Sequence, residues 1–379
     1  MDVVTDILII GSGIIGLSLA VELRRRGASV TVLSRDFKQA AAHAAAGMLA
    51  PQAENLPPSP MLDLCLRSRA LYPEWVQTLE ELTGAIAGYW SCGILAPVYA
   101  DREPQDLSNI GLVSEDARDS YWLDKDAIAQ LQPGLSSDVI GGYWYPEDAQ
   151  VDNRALAQAL WLAAQNLGVD IREGVIVEEI QHQADRVVIV KTSAGDFSAQ
   201  HYVLATGAWS NQFLSLPVYP KKGQMLSLQV PVNKYNNQAV TEKLPLQRVL
   251  FGSEIYIVPR QDGRIVLGAT SEEVGFEPNN TPAGIQKLLT AAIRLFPQLA
   301  DFSIQELWWG FRPTTPDELP ILGRSAYENL TIATGHYRNG ILLAPITAVL
   351  LADMIMQQQV DPLLSYFHYS RFYSNGQQA

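Results

Sequence analysis

Cysteine is nearly missing from the 379-residue chain. Its two copies, Cys65 and Cys92, form no CxxC pair, which excludes a disulfide framework and a cysteine-ligated zinc site. Histidine is also scarce. The five, His43, His182, His201, His336 and His368, share no metal-ligand spacing, and no HExxH occurs, so no metal is expected. Positive charge is in deficit, with 27 Lys and Arg against 40 Asp and Glu and a net charge of −13. A general nucleic-acid binder needs a basic face, so no nucleic-acid partner is expected. Long apolar runs are missing too. The longest, residues 341–355, contains Pro345 and falls short of the ~20 residues that span a bilayer. Residues 1–6 lack the positive charge that opens a secretory signal. These absences predict a reduced, cytoplasmic chain with no membrane attachment. Apolar residues, by contrast, make up 47%, enough for a large core. The length predicts two or three domains at roughly 100–200 residues each.

The first forty residues are the most legible. Residues 7–10 are continuously apolar, as in a buried parallel strand. Gly11-Ser12-Gly13-Ile14-Ile15-Gly16 follows, then a helical stretch over 17–26 stopped by Gly27, then a β-branched strand over 29–33. In such a βαβ unit the first glycine permits the tight turn. The second admits a pyrophosphate to the backbone, and the third lets helix and strand pack closely. The helix N-terminus then favours the diphosphate anion. Ser34 occupies the position where an acid commonly binds the ribose, and Arg35 and Asp36 follow. An arginine there suits a 2′-phosphate, so NADP stays open on this region alone.

Residues 40–50 are alanine-rich and too small-sided for an ordinary core helix; such residues allow close approach to a ligand. Residues 57–60 read as a turn, 61–82, 151–168, 282–296 and 341–357 as helices. Residues 169–180, 186–192, 198–204 and 330–333 read as strands, with glycine turns at 205–209 and 335–340. Residues 221–271 alternate like antiparallel strands, with a hairpin turn at 261–263. The predicted fold class is α/β (α+β overall). A Rossmann-like nucleotide-binding domain, residues 1–86, 147–217 and 305–379, is interleaved with a mostly antiparallel β-sheet substrate domain, residues 87–146 and 218–304.

The motifs GSGIIG, AAAGML, IYIVPR at 255–260, GAT at 268–270, GFRP at 310–313 and GHYRNGILLAP at 335–345 occur in order along the chain. With them, residues 5–361 resemble the FAD-dependent amine and amino-acid oxidases of the D-amino-acid-oxidase type, and within these the group that oxidises glycine for thiamine biosynthesis. The resemblance implies non-covalent FAD and oxidative deamination of glycine, sarcosine or small D-amino acids. Hydride would pass to flavin N5, and imine or glyoxylate, ammonia and H2O2 would result. It further implies O2 as co-substrate, a homo-oligomer (a tetramer) and a functional link to a thiazole synthase. A different amine oxidant on the same fold, or a flavin-binding protein without turnover, are the alternatives.

Carried over residue by residue, the resemblance assigns Tyr256, Arg312 and Arg338 to catalysis and substrate binding, with Ala50 and Ala53 on the substrate side. It assigns Gly11, Gly13, Ile14, Ile15, Gly16, Ser34 and Arg35 to the adenosine and pyrophosphate. Ala41, Ala42, Ala46, Gly47 and Met48 pass over the flavin, and Val177 and Gly207 lie toward the adenine. His336, Tyr337, Arg338, Asn339, Gly340, Ile341 and Leu342 close the flavin side. The chemistry agrees with these residue types: a guanidinium is always charged and holds a carboxylate through two parallel hydrogen bonds. Pro345 is expected in the first turn of the last helix. Glu254 is expected to set a negative charge near the carboxylate pocket. His43 is expected to be structural.

Overall fold

The computed structural model describes residues 5–100, 120–231 and 244–373. Parts of both expected substrate-domain segments, 87–146 and 218–304, lie outside these described residues.

Strand Thr5–Ile10 is the middle of a six-stranded sheet. It pairs in parallel with Val30–Ser34 and with Ala199–Leu204. Asp170–Glu173 and Leu330–Thr334 extend the parallel set, and Ile321–Arg324 adds an antiparallel edge. The continuous apolar run has a direct cause, since both faces of this strand are covered. Ile7 and Ile9 point to a core built with helices Ile14–Arg25, Pro60–Thr83, Asn153–Asn166 and Gly340–Ala352. Leu8 and Ile10 point to a second core, shared with a small antiparallel sheet through Val187 and Val190. The expected strand over 169–180 is two strands, Asp170–Glu173 and Val177–Gln183, and Gly174 between them takes φ +77°.

The last helix, Gly340–Ala352, is the most apolar, and the 18-residue stretch Gly340–Gln357 is long and apolar enough to cross a membrane. In this fold two-thirds of that stretch is buried. Pro345 lies beyond its first turn, against expectation, and cannot donate the hydrogen bond that Ile341 would accept. The neighbouring helix repairs the gap. The Tyr72 hydroxyl donates to the Ile341 carbonyl, and the Ser68 hydroxyl to that of Leu342 at 2.6 Å. A wider turn, Asp353–Gln357, ends the helix.

The second sheet has eight strands, antiparallel except where Val249–Phe251 runs parallel to Ile94–Tyr99. The amphipathic helix Pro282–Leu295 covers it through Leu288, Ala292 and Leu295. Thr281 caps that helix by accepting from the Gly284 N–H. At one edge the long strands Tyr219–Gln229 and Ser303–Thr314 pair as a ribbon that reaches the first sheet's cavity. The expected boundary at residue 305 therefore cuts a strand, Ser303–Thr314, whose ladder belongs to the second sheet.

Candidate active site

Two adjoining cavities run from the first strand's end to the second sheet. Gly13, Ala41 and Ala205 border both. The glycine turn shapes one end. A Cβ on Gly11 would lie 2.4 Å from the Ala205 carbonyl oxygen, and one on Gly16 only 2.0 Å from that of Gly11. Those two positions lock turn, helix and strand together. Gly13 is different: a Cβ there would meet nothing nearer than Ala40 Cβ at 4.0 Å. Its open face, and a helix start whose first turn carries no acidic residue and no side-chain cap, leave amides free for an anion. An elongated, mostly apolar groove with an anion cradle midway fits a flavin dinucleotide.

Arg35, Val177 and Gly207 border the other cavity, on the far side of the glycine turn. Arg35 lies 4.8 Å over the Trp209 ring, a cation–π contact that accounts for its orientation. Ser34 does not border it. Its buried hydroxyl accepts a 2.6 Å hydrogen bond from Ser12 and so ties the second strand to the glycine turn. Sequence reasoning assigned Ser34 to the cofactor, whereas the structure turns it inward.

The alanine-rich segment is held by its carbonyls. Ala42 O accepts from Asn153, His43 O from Arg154, Ala44 O from Trp308, and Ala46 O from Arg260. These bonds pin a segment whose only helical piece is one tight turn, Ala41–Ala44. Arg260 is buried and also reaches Gln150 and Asn153, at 2.5 and 3.0 Å; burial pulls its guanidinium down to about 10. Gly47 packs so closely that a Cβ would sit 2.0 Å from the Val151 carbonyl oxygen. Ala41, Ala42, Ala46, Gly47 and Met48 border the cavity nearer the second sheet, beside Ile14 and Ile15. His43 borders neither cavity and stacks edge-on against Phe37.

The far end of that cavity brings Tyr256, Arg312 and Arg338 together from three separate elements. Arg312 lies flat over Gly223 and donates to the Thr270 carbonyl at 3.1 Å. Tyr256 lies across Gly268, where a Cβ would come within 2.4 Å of the ring. Burial pushes the Tyr256 hydroxyl up, and the two guanidinium groups pull it back. It remains a neutral donor at physiological pH. His336, Tyr337, Gly340 and Ile341 complete this wall. Burial alone drives His336 down to about 3, so its ring is neutral and bonds Thr347 Oγ1 at 3.2 Å. Ala50, Ala53 and Leu342 are buried in the packing behind the wall, and Asn339 stands just before the last helix without a side-chain cap bond; none of these four borders the cavity.

The acid of this pocket is not the expected one. Glu254 is exposed and borders neither cavity. Glu54 does border the one lined by Tyr256 and the two arginines, with Oε1 3.5 Å from Arg338 Nη2. The turn carrying it is clamped from below by Asp148, fully buried, which accepts from the Ala53 N–H at 2.8 Å and from Arg69 at 2.7 Å. Burial pushes Asp148 up to about 6. No periodicity marks Glu54. Its only sequence signal is an acid at the end of a segment of small residues.

Residues 6–354 match a family model described as FAD dependent oxidoreductase. The chain is 62% identical over 369 residues to the bifunctional protein ThiO/ThiG of Trichormus variabilis, covering 97% of this chain and 55% of that protein. It therefore spans about half the length of the curated relatives it matches. The crystal structure of glycine oxidase from Geobacillus kaustophilus superposes with a TM-score of 0.89 at 33% identity, covering 97% of this chain and 98% of that one. Iminodiacetate oxidase from Chelativorans sp. BNC1 gives 0.85 at 28% identity, over 96% and 98%.

Proposed function

The chain belongs to the FAD-dependent oxidoreductases of the DAO family, and on that premise we propose that it oxidatively deaminates glycine and similarly small amines, with O2 as the final acceptor. The observation that carries this reading is the convergence of Tyr256, Arg312 and Arg338 on one end of a groove that fits FAD. Bound FAD supplies the hydride acceptor. The chain's residues supply position. Arg312 offers two parallel donors to a carboxylate and Tyr256 a third, which fixes the amine-bearing carbon relative to the groove. Gly13, Gly11 and the start of helix Ile14–Arg25 would hold the pyrophosphate. Residues 41–48 would cover the flavin ring, and Gly340 and Ile341 bring the amides of the last helix to the same wall. Residues 1–86, 147–217 and 305–379 would serve the cofactor and the remainder the substrate, with the 303–314 strand shared.

The similarity to fused ThiO/ThiG proteins supports a supply of the oxidised product to thiazole formation in thiamine biosynthesis. A cytoplasmic setting agrees with that role. Anaerobic addition of glycine to the flavin-loaded chain should bleach the flavin absorbance. Air should restore it with one equivalent of H2O2. Absence of bleaching by glycine, sarcosine, D-alanine and D-proline alike would remove the proposal.

A further inference from the structure

The cavity nearer the second sheet carries two cations, Arg312 and Arg338, and among the described residues one acid, Glu54. Two cations facing a small amino acid would also accept a molecule with two carboxylates. Glu54 alters that balance. Its side chain is 11% exposed, and its carboxylate stands 3.5 Å from the Arg338 guanidinium. The two charges perturb each other in the expected sense: Glu54 is the main reason that Arg338 is pushed up, and Arg338 opposes the rise that burial imposes on Glu54. The position is built rather than incidental. Glu54 N–H donates to Ala50 O at 3.0 Å, and the Asp148–Arg69 pair fixes the turn beneath it.

We infer that Glu54 is a specificity-determining residue, which neutralises Arg338 and restricts the cavity to amines that carry a single carboxylate. The inference rests on the proposed amine oxidation and names the substrate class of the same site. One carboxylate satisfies Arg312 and Tyr256. A second, directed toward Arg338, meets Glu54 beside it. Like charges repel strongly in a cavity poor in water, and rejection by a fixed charge is an efficient route to discrimination.

The test compares glycine with iminodiacetate, which adds a second carboxylate to a glycine unit, on the flavin-loaded chain at about pH 8, where the carboxylates of both free substrates are fully ionised. Acetate and malonate binding, read from the perturbation of flavin absorbance, reports the charge preference without turnover. In Glu54→Gln the kcat/KM ratio of iminodiacetate to glycine should rise ~10-fold or more, and malonate should tighten relative to acetate by a similar factor. A residue that merely props the turn would move neither ratio, so ratios within ~2-fold of the parent overturn the inference. Should Glu54→Gln not fold, Arg338→Gln decides. It leaves the Glu54 charge without that guanidinium and should weaken malonate more than acetate, and adding Glu54→Asn to it should restore malonate relative to acetate. Failure of that restoration also overturns the inference. A parent chain that oxidises glycine while the ratios stay fixed defeats this inference alone. A parent chain that oxidises no amine defeats the proposed function as well.

Discussion

The least conspicuous residue of the site offers its sharpest test. Gly223 lies in an extended strand directly under Arg312, and a Cβ there would stand 2.6 Å from both terminal nitrogens and 2.8 Å from Cζ. Comfortable contact between such atoms is ~3.5–4.0 Å. In Gly223→Ala the guanidinium must therefore move by about 1 Å. The clash is with the tip of a flexible side chain and not with backbone, so the strand and its pairing to Gly310 should survive. A misplacement of ~1 Å at a positioning group costs on the order of 100-fold in rate. Deleting the arginine outright removes a desolvated charged contact worth ~2–5 kcal/mol, or roughly 30-fold to several thousand-fold in carboxylate affinity. Gly223→Ala should thus fall toward the lower part of the range spanned by Arg312→Ala, with the rise mainly in glycine KM. Steady-state peroxide production, with flavin content measured on each preparation, gives the numbers. The double variant is the decisive arm. With Arg312→Ala in place there is no guanidinium to displace, so adding Gly223→Ala should cost little more. Equal losses from Gly223→Ala with and without Arg312 would refute the reasoning, because the methyl would then act on the cavity by some other route.

Asp148→Ala should destabilise the chain by ~3–5 kcal/mol in urea melts, since it strands Arg69 and the Ala53 N–H in a buried setting; a loss below ~1 kcal/mol would mean that the pair is solvated. Tyr72→Phe should cost ~1–3 kcal/mol by leaving the Ile341 carbonyl without the donor that Pro345 cannot supply, measured in the same way. His336 is held down to about 3 in the fold, against about 6.5 for a free imidazole. Above 6.5 its contribution to stability is fully present. As pH falls from there toward 3, the unfolded chain binds a proton that the folded one refuses, so stability drops by ~1.4 kcal/mol per pH unit from this group. His336→Gln should flatten the acid limb of the urea midpoint against pH, and an unchanged limb would contradict a neutral buried ring.

Local patterns made part of this legible from sequence. The βαβ start is written in a continuous apolar run, three glycines and a β-branched strand, because each feature answers a neighbour within thirty residues. The three residues assigned to the carboxylate share one cavity although Tyr256 and Arg338 stand 82 positions apart. What sequence reasoning misjudged depends on distant partners. Ser34 was assigned to the ribose, but Ser12 takes its hydroxyl. Pro345 was placed in a first turn, although Tyr72 makes a deeper position tolerable. Glu254 drew notice through nearness to Tyr256 in the chain, while the acid at the cavity is Glu54, presented by a turn that Asp148 and Arg69 hold from elsewhere. Gly223 had no signal at all, because its role exists only once Arg312 folds over it.

The two sheets take their strands in alternation: residues 5–34, then 94–145, then 170–204, then 219–314, then 321–334. Such a chain has no single seam at which one half can be exchanged for another. A genetic event that replaced the substrate side intact would have to cut and rejoin the gene at several places and restore every crossing. Variation in what such molecules accept is expected to accumulate as isolated replacements around a cavity, inherited together with an unbroken nucleotide half. A joined module outside the alternation disturbs none of these crossings, which suits the similarity to bifunctional ThiO/ThiG proteins, of whose length this chain covers 55%.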